Sequence, residues 1–121
     1  MYYQPPLEDI RFCLETFDYD QNVQSMERFQ DFDLETSMGL IEAYSEFCMD
    51  VLAPLNSKGD HEGVKFNPED SSVALPDGFK EAYAQFCENG FNGMAMEPEY
   101  GGVGAPFVVS NAAQELSLIH I

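Results

Sequence analysis

Apolar residues in the middle of the chain recur every three or four positions, and most acidic residues there fall outside this stripe. Such spacing predicts an amphipathic helix over residues 33 to 55, with Asp33 as its N-cap. Because Pro54 lacks an amide N–H and crowds the carbonyl of Asp50, we expect the helix to kink or end near residues 52 to 56. The apolar stripe consists of Leu34, Met38, Ile41, Tyr44, Cys48, Val51 and Leu55.

Shorter periodic segments predict three further helices. Leu7, Ile10, Leu14 and Phe17 indicate a short helix after Pro5 and Pro6. A second helix is expected from Pro76 to Asn89, with Gly90 at the position after its C-cap, and we expect it to pack against the stripe of the long helix. The last helix begins near Pro106. The apolar residues of these last two helices are Phe79, Tyr83, Phe86 and Cys87 in one and Val108, Ala112 and Leu116 in the other.

The remaining segments have the composition of loops. Residues 18 to 31 read as a loop with one turn around 23 to 29, and residues 57 to 75 as a long surface excursion. Residues 90 to 106, GFNGMAMEPEYGGVGAP, hold five of the nine glycines, as expected of a loop with backbone turns that other residues resist. The pattern therefore predicts an all-α fold.

The last six residues, LSLIHI, are the in-frame translation of a common transposase adapter. We therefore predict that residues 116–121 are a sequencing-adapter artefact that fills no designed core, and we give His120 no functional weight. The alternative is a genuine short apolar C-terminus. The predicted organisation is an N-terminal extension with a short helix over 1–32 and an incomplete N-terminal helical domain over 33–115.

Five basic residues stand against 22 acidic ones, so the formal net charge is -17. The resulting field repels phosphate backbones and anionic lipid, which makes nucleic acid an unfavourable partner. No apolar run approaches the roughly 20 residues of a membrane span, and the first residues lack the pattern of a signal peptide. We expect a soluble cytoplasmic protein without a membrane partner.

The residues by themselves offer no catalytic or metal site. Cys13, Cys48 and Cys87 are far apart, and we expect free thiols on the buried sides of helices in a reducing compartment. His61 lies in the polar run 60–62, which we interpret as a solvated loop and not as an acid–base or metal site. GGVG at 101–104 fails the dinucleotide fingerprint because no hydrophobic strand precedes it, and we interpret it as a turn between helices.

Four segments, taken in order, resemble the N-terminal region of the acyl-CoA dehydrogenase family. PPLEDIRFCLE resembles the N-terminal extension of the subgroup that includes the methylthiopropanoyl-CoA dehydrogenases, and APLNSKGDHEGVKF resembles the junction after that subgroup's long first helix. PDGFKEAYAQFCENGFNGM resembles the next helix, and MEPEYGGVGAP resembles a loop typical of the whole family. The resemblance covers nearly all of residues 2 to 115.

This resemblance implies a three-domain oxidoreductase of fatty acid metabolism that binds FAD and converts an acyl-CoA to the 2,3-enoyl-CoA. It further implies electron transfer to an electron-transfer flavoprotein and a homo-oligomer when full length. The catalytic glutamate of the family lies C-terminal to the segment resembled here, so no residue of this chain is assigned a catalytic, cofactor-binding or metal-binding role, and we expect the fragment alone to be inactive. The substrate-pocket candidates are Tyr100, Gly101, Gly102 and Val108.

Two alternatives remain open from the sequence. The first is an acyl-CoA oxidase or another flavoenzyme on the same scaffold. The second is a stand-alone acidic helical interaction module without catalytic activity. A continuous reading frame with or without a downstream β-domain would discriminate between an enzyme and such a module.

Overall fold

A computed structural model describes residues 3–118 of the chain. Within that range α-helices predominate, and the strands form a single two-stranded sheet, so the predicted all-α class is confirmed. The elements are α1 (Leu7–Thr16), α2 (Leu34–Phe47), α3 (Ala53–Glu62), β1 (Lys65–Asn67), β2 (Ser72–Ala74), α4 (Phe79–Glu88) and α5 (Phe107–Leu118).

Helix α2 begins as its sequence predicts. The backbone of Asp33 is extended, and its Oδ1 accepts a hydrogen bond from the N–H of Thr36 at 2.7 Å. This bond satisfies one of the free donors of the first turn. It also stabilises the charged form of the carboxyl, so the pKa of Asp33 lies below its ordinary value.

The sequence predicted that this helix would kink or end near residues 52 to 56, and it does not end there. A π-helical turn over Cys48–Leu52 joins α2 to α3, and the backbone stays helical from Phe47 to Ala53. Pro54 occupies the first turn of α3, where the missing N–H costs least. A π-turn inserts one residue into the helical ladder, and the chain passes the proline without ending the helix.

The surface excursion over 57 to 75 is also more ordered than its composition predicts. Helix α3 continues to Glu62, and β1 and β2 form an antiparallel hairpin in which Phe66 lies opposite Val73. The turn is supported by side chains, because Asn67 Oδ1 accepts from the N–H of Glu69 and Asp70 Oδ1 from that of Ser72. The exposed position of both strands agrees with the prediction of a surface segment.

Helix α4 starts three residues later than predicted. Gly78 adopts a left-handed conformation with φ 94° immediately before the first helical residue, Phe79, which excludes a helical start at Pro76. The end of α4 agrees with the sequence, since Gly90 follows the C-cap with φ 75°.

A buried tyrosine connects the segment between α1 and α2 to the core. Residues 18 to 31 form a π-turn at Asp20–Gln24 and a 3₁₀ turn at Glu27–Phe29. Tyr19, before the first turn, is buried, and its hydroxyl donates to the carbonyl of Phe32 at 2.9 Å. Its oxygen lies 2.8 Å from Ser37 Oγ, and since a tyrosine hydroxyl has one proton, Ser37 donates here.

The stripe of α2 faces the core as predicted, but its principal partner is different. Met38, Ile41 and Tyr44 are buried, and α2 packs most extensively on α5, not on α4. Helix α4 contributes Phe86, whose ring lies 6.2 Å from that of Phe47. The rings of Tyr44 and Phe91 are nearly perpendicular, with 4.8 Å between their centroids.

The beginning of the LSLIHI segment belongs to this core. Helix α5 continues to Leu118, Leu116 is fully buried among the core residues, and its carbonyl accepts from the hydroxyl of Tyr3 at 3.1 Å. The expectation that the segment fills no core is therefore wrong for Leu116. Residues 119–121 lie outside the described range, and the adapter origin of the segment stays a prediction about the DNA.

The cysteines do not share one environment. Cys48 is buried, and burial raises the pKa of its thiol to about 12. Cys87 is half-buried, whereas Cys13 is exposed, so the prediction that all three face the buried side is wrong for Cys13. Of the helices described, none is both long enough and apolar enough to cross a membrane.

Candidate substrate-facing loop

The glycine-rich segment before α5 is fixed by its own backbone hydrogen bonds. The carbonyl of Glu97 accepts from the N–H groups of Tyr100 at 3.0 Å and Gly102 at 3.1 Å. Two further hydrogen bonds join the end of the segment to its beginning. The N–H of Gly104 donates to the carbonyl of Met96 at 2.8 Å, and the N–H of Ala105 donates to the carbonyl of Met94 at 2.9 Å. We call residues 94–105 the glycine loop. These hydrogen bonds give the loop backbone a defined shape within the chain itself.

Two features of the glycine loop require glycine. Gly101 has φ 85°, a left-handed conformation that other residues adopt with strain. Gly102 has an ordinary φ, but a Cβ atom there would collide with the backbone carbonyl of Met96. The sequence interpretation of GGVG as a shaped turn therefore has a specific steric basis, and phosphate binding is not needed to explain these glycines.

The loop presents an apolar surface to solvent. The Tyr100 side chain is 74% exposed, and Phe107, in the first turn of α5, is 70% exposed. Met96 and Val103 are exposed beside them in sequence. We call Met96, Tyr100, Val103 and Phe107 the loop face. Because these four exposed apolar side chains lie close together in sequence, the loop face is a candidate for a surface that another chain, domain or ligand covers.

The four sequence-predicted pocket residues fall in two places. Tyr100, Gly101 and Gly102 are consecutive at the tip of the glycine loop, where Gly101 is exposed and Gly102 half-buried. Val108 is half-buried within α5. None of the four lines either of two clefts formed by residues 3–118, so their role as pocket residues stays a prediction.

An open cleft of about 540 Å³ lies between the N-terminal extension and the glycine loop. Across it, Arg28 Nη2 lies 3.2 Å from Glu97 Oε1. The sequence analysis missed this pair, because two exposed charges 69 positions apart leave no local signal in the sequence. The cleft is lined by Arg28, Asp31, Phe32, Glu97, Pro98, Glu99, Val103 and Gly104.

The charges of this cleft do not suit a phosphorylated cofactor. Asp31, Glu97 and Glu99 line it against the single cation of Arg28, which Glu97 already pairs. The pyrophosphate of FAD and the phosphates of coenzyme A would be repelled by these carboxylates and by the net charge of -17. Across residues 3–118, no group of three or more His, Cys, Asp or Glu is placed to hold a metal ion.

Comparison with known proteins gives relatives of one kind. No model of a protein family matches the chain. It is 35% identical over 116 residues, 96% of its length, to a 3-methylmercaptopropionyl-CoA dehydrogenase of Ruegeria pomeroyi. It is 29% identical over 86 residues to a butyryl-CoA dehydrogenase of Syntrophomonas wolfei and 28% identical over 87 residues to a broad-specificity linear acyl-CoA dehydrogenase of Mycobacterium tuberculosis.

The matches cover a small part of these relatives. The chain spans 19% of the length of the Ruegeria protein and 14% of each of the other two. On its own side, the match to the Ruegeria protein takes in almost every residue, so it is not confined to the glycine loop. These matches place the chain in the acyl-CoA dehydrogenase family.

Proposed function

We propose that this chain is the helical segment of a flavin-dependent enzyme that oxidises an acyl-CoA to the 2,3-enoyl-CoA. The observation that carries the proposal is the 35% identity over 96% of the chain to a 3-methylmercaptopropionyl-CoA dehydrogenase. All three relatives are acyl-CoA dehydrogenases by name. The parent enzyme uses FAD, transfers electrons to an electron-transfer flavoprotein and acts as a soluble cytoplasmic homo-oligomer.

The part of this chain in that enzyme is to supply one wall of the acyl pocket. The loop face offers apolar side chains to a partner surface, and the glycine loop holds them on a hydrogen-bonded backbone. In the proposed enzyme, Tyr100, Gly101, Gly102 and Val108 contact or border the acyl chain and exclude water from it. An apolar wall of this kind suits the hydrocarbon of the substrate and leaves its phosphates to other parts of the enzyme.

The chain alone is proposed to be inactive. Neither the acidic cleft nor any other cluster of side chains described in residues 3–118 forms a binding site for the flavin pyrophosphate. We assign no residue as the proton-accepting base. The reaction needs a base and a flavin that are held at a fixed distance and orientation, and a chain that forms one wall of the acyl pocket does not supply both. Flavin binding and proton abstraction therefore belong to the remaining length of the enzyme.

The test is a chimera. Residues 3–115 of this chain replace the aligned segment of the Ruegeria dehydrogenase, and the purified chimera is compared with the isolated chain for bound flavin and for acyl-CoA-dependent reduction of an artificial electron acceptor. A second chimera with Gly102→Leu serves as the matched control, because its side chain collides with the Met96 carbonyl.

We expect the first chimera to be yellow and to reduce the acceptor, and the control chimera to lose most turnover. The isolated chain should show neither flavin nor turnover. A folded, flavin-loaded chimera without acyl-CoA-dependent reduction would contradict the proposal, as would stoichiometric flavin on the isolated chain. Hydrogen peroxide formed in place of reduced acceptor would indicate the oxidase alternative.

A further inference from the structure

We propose that Arg28 is a positioning residue that holds the glycine loop in place through Glu97. Glu97 has two roles in the structure. Its side chain pairs with Arg28 at 3.2 Å, and its backbone carbonyl accepts the N–H groups of Tyr100 and Gly102 that close the loop. A restraint on the side chain of Glu97 is therefore a restraint on the residue from which the loop is built.

Arg28 is itself held on the side of the extension. Its guanidinium carbon lies 5.5 Å from the centroid of the Phe29 ring, a cation–π geometry. The 3₁₀ turn Glu27–Phe29 that carries it is followed by Phe32, whose carbonyl accepts the buried hydroxyl of Tyr19. A chain of contacts thus runs from the core through Tyr19 and the extension to Arg28 and Glu97.

The open cleft makes this ion pair important for the loop. An open cleft of about 540 Å³ lies between the extension and the glycine loop. Close apolar packing therefore does not fill the space between them. The structure describes all of residues 18–32 and 94–105. The pair of Arg28 and Glu97 is the one ion pair or hydrogen bond that joins these two segments. Loss of this pair should make local opening of the loop more frequent, although its own backbone hydrogen bonds remain, and should leave the core intact.

The experiment measures amide hydrogen exchange in the chain by mass spectrometry, with the peptide covering residues 97–105 as the readout. Arg28→Gln removes the pair, and Arg28→Lys keeps the charge. Arg11→Gln is the matched control, because it also removes one positive charge and breaks an exposed pair, that of Arg11 with Glu35 at 2.7 Å, on the side of α2. Charge exchange in Arg28→Glu with Glu97→Arg tests for rescue.

We expect Arg28→Gln to accelerate exchange in residues 97–105 by up to about fivefold, the limit for an exposed ion pair. The melting temperature should stay near that of the wild-type chain, and Arg28→Lys and the exchanged pair should restore slow exchange. In about 1 M salt, where charges are screened within about 3 Å, the wild-type loop should exchange nearly as fast as the variant.

Three results would overturn the proposal: unchanged exchange in Arg28→Gln, equal acceleration in Arg11→Gln, or acceleration spread over the core helices together with a lower melting temperature. The measurement uses neither flavin nor acyl-CoA. Its outcome is therefore independent of whether the chain belongs to an active dehydrogenase.

Discussion

Gly102 and Gly39 show how differently two glycines of one chain constrain it. A Cβ atom on Gly102 would collide with the backbone carbonyl of Met96, whereas a Cβ atom on Gly39, in the exposed face of α2, would meet nothing within 4 Å. The first glycine is required by close packing of two backbone segments. The second only adds conformational freedom to the unfolded chain and to the helix.

We predict that Gly102→Ala lowers the free energy of unfolding by about 1–3 kcal/mol, because the Met96 backbone must move to admit the methyl group. Gly39→Ala should raise it by about 0.4–1 kcal/mol, since alanine is the better helix former and no neighbour resists it. Urea denaturation followed by circular dichroism measures both. Equal effects of the two substitutions would contradict the steric assignment of Gly102.

At the scale of the elements, the accuracy of the sequence-based prediction depended on how local the determining interaction is. The start of α2 at Asp33, the end of α4 at Gly90 and the glycine loop were predictable, because each depends on a residue and its near neighbours. The π-turn that carries the helix past Pro54 was not, since a single insertion in the helical ladder leaves no residue signature.

The hairpin was missed despite an available signal. Val64, Phe66, Val73 and Leu75 alternate with mostly polar residues on either side of the turn, which is the period of two expected for strands. The alternating segments are so short that this period was not recognised in the sequence. The packing of α2 on α5 and the pair of Arg28 with Glu97 depend on contacts between distant positions, and one sequence without a structure does not contain that information.

The buried apolar stripe of α2 leads to a prediction about how much this helix contributes to the stability of the chain. Ile41 is fully buried in the core, on the helix that packs against α5. Ile41→Ala should lower the free energy of unfolding by about 2–5 kcal/mol, the combined cost of lost apolar burial and of the cavity left behind. Chemical denaturation of the two chains provides the measurement.

Glu46→Ala is the control for Ile41→Ala, because Glu46 lies on the exposed face of the same helix. Its effect should stay within about 0.5 kcal/mol. If both substitutions destabilise the chain equally, the assignment of the buried face is wrong. If Ile41→Ala alone is destabilising, both the helical period and its orientation are confirmed.

For the whole molecule, the apolar loop face and the negative charge act against each other. The loop face exposes Phe107 and Tyr100, which favours association between copies, whereas a net charge of -17 opposes it. Added salt screens the repulsion and leaves the apolar attraction. We therefore expect the isolated chain to associate more strongly as ionic strength rises, the reverse of the response expected of an interface held by ion pairs.

Phe107→Ser should weaken this association about tenfold or more, because removal of one large apolar contact costs about 1.5–3 kcal/mol and each 1.4 kcal/mol corresponds to a factor of ten in the dissociation constant. Sedimentation equilibrium at low and high salt measures it. Phe12→Ser is the matched control, since Phe12 on α1 is 66% exposed, close to the 70% of Phe107, but lies outside the loop face. An equal loss of association in both variants would mean that the chains associate through exposed apolar residues in general. A loss confined to Phe107→Ser would identify the loop face as the surface through which copies of the chain associate.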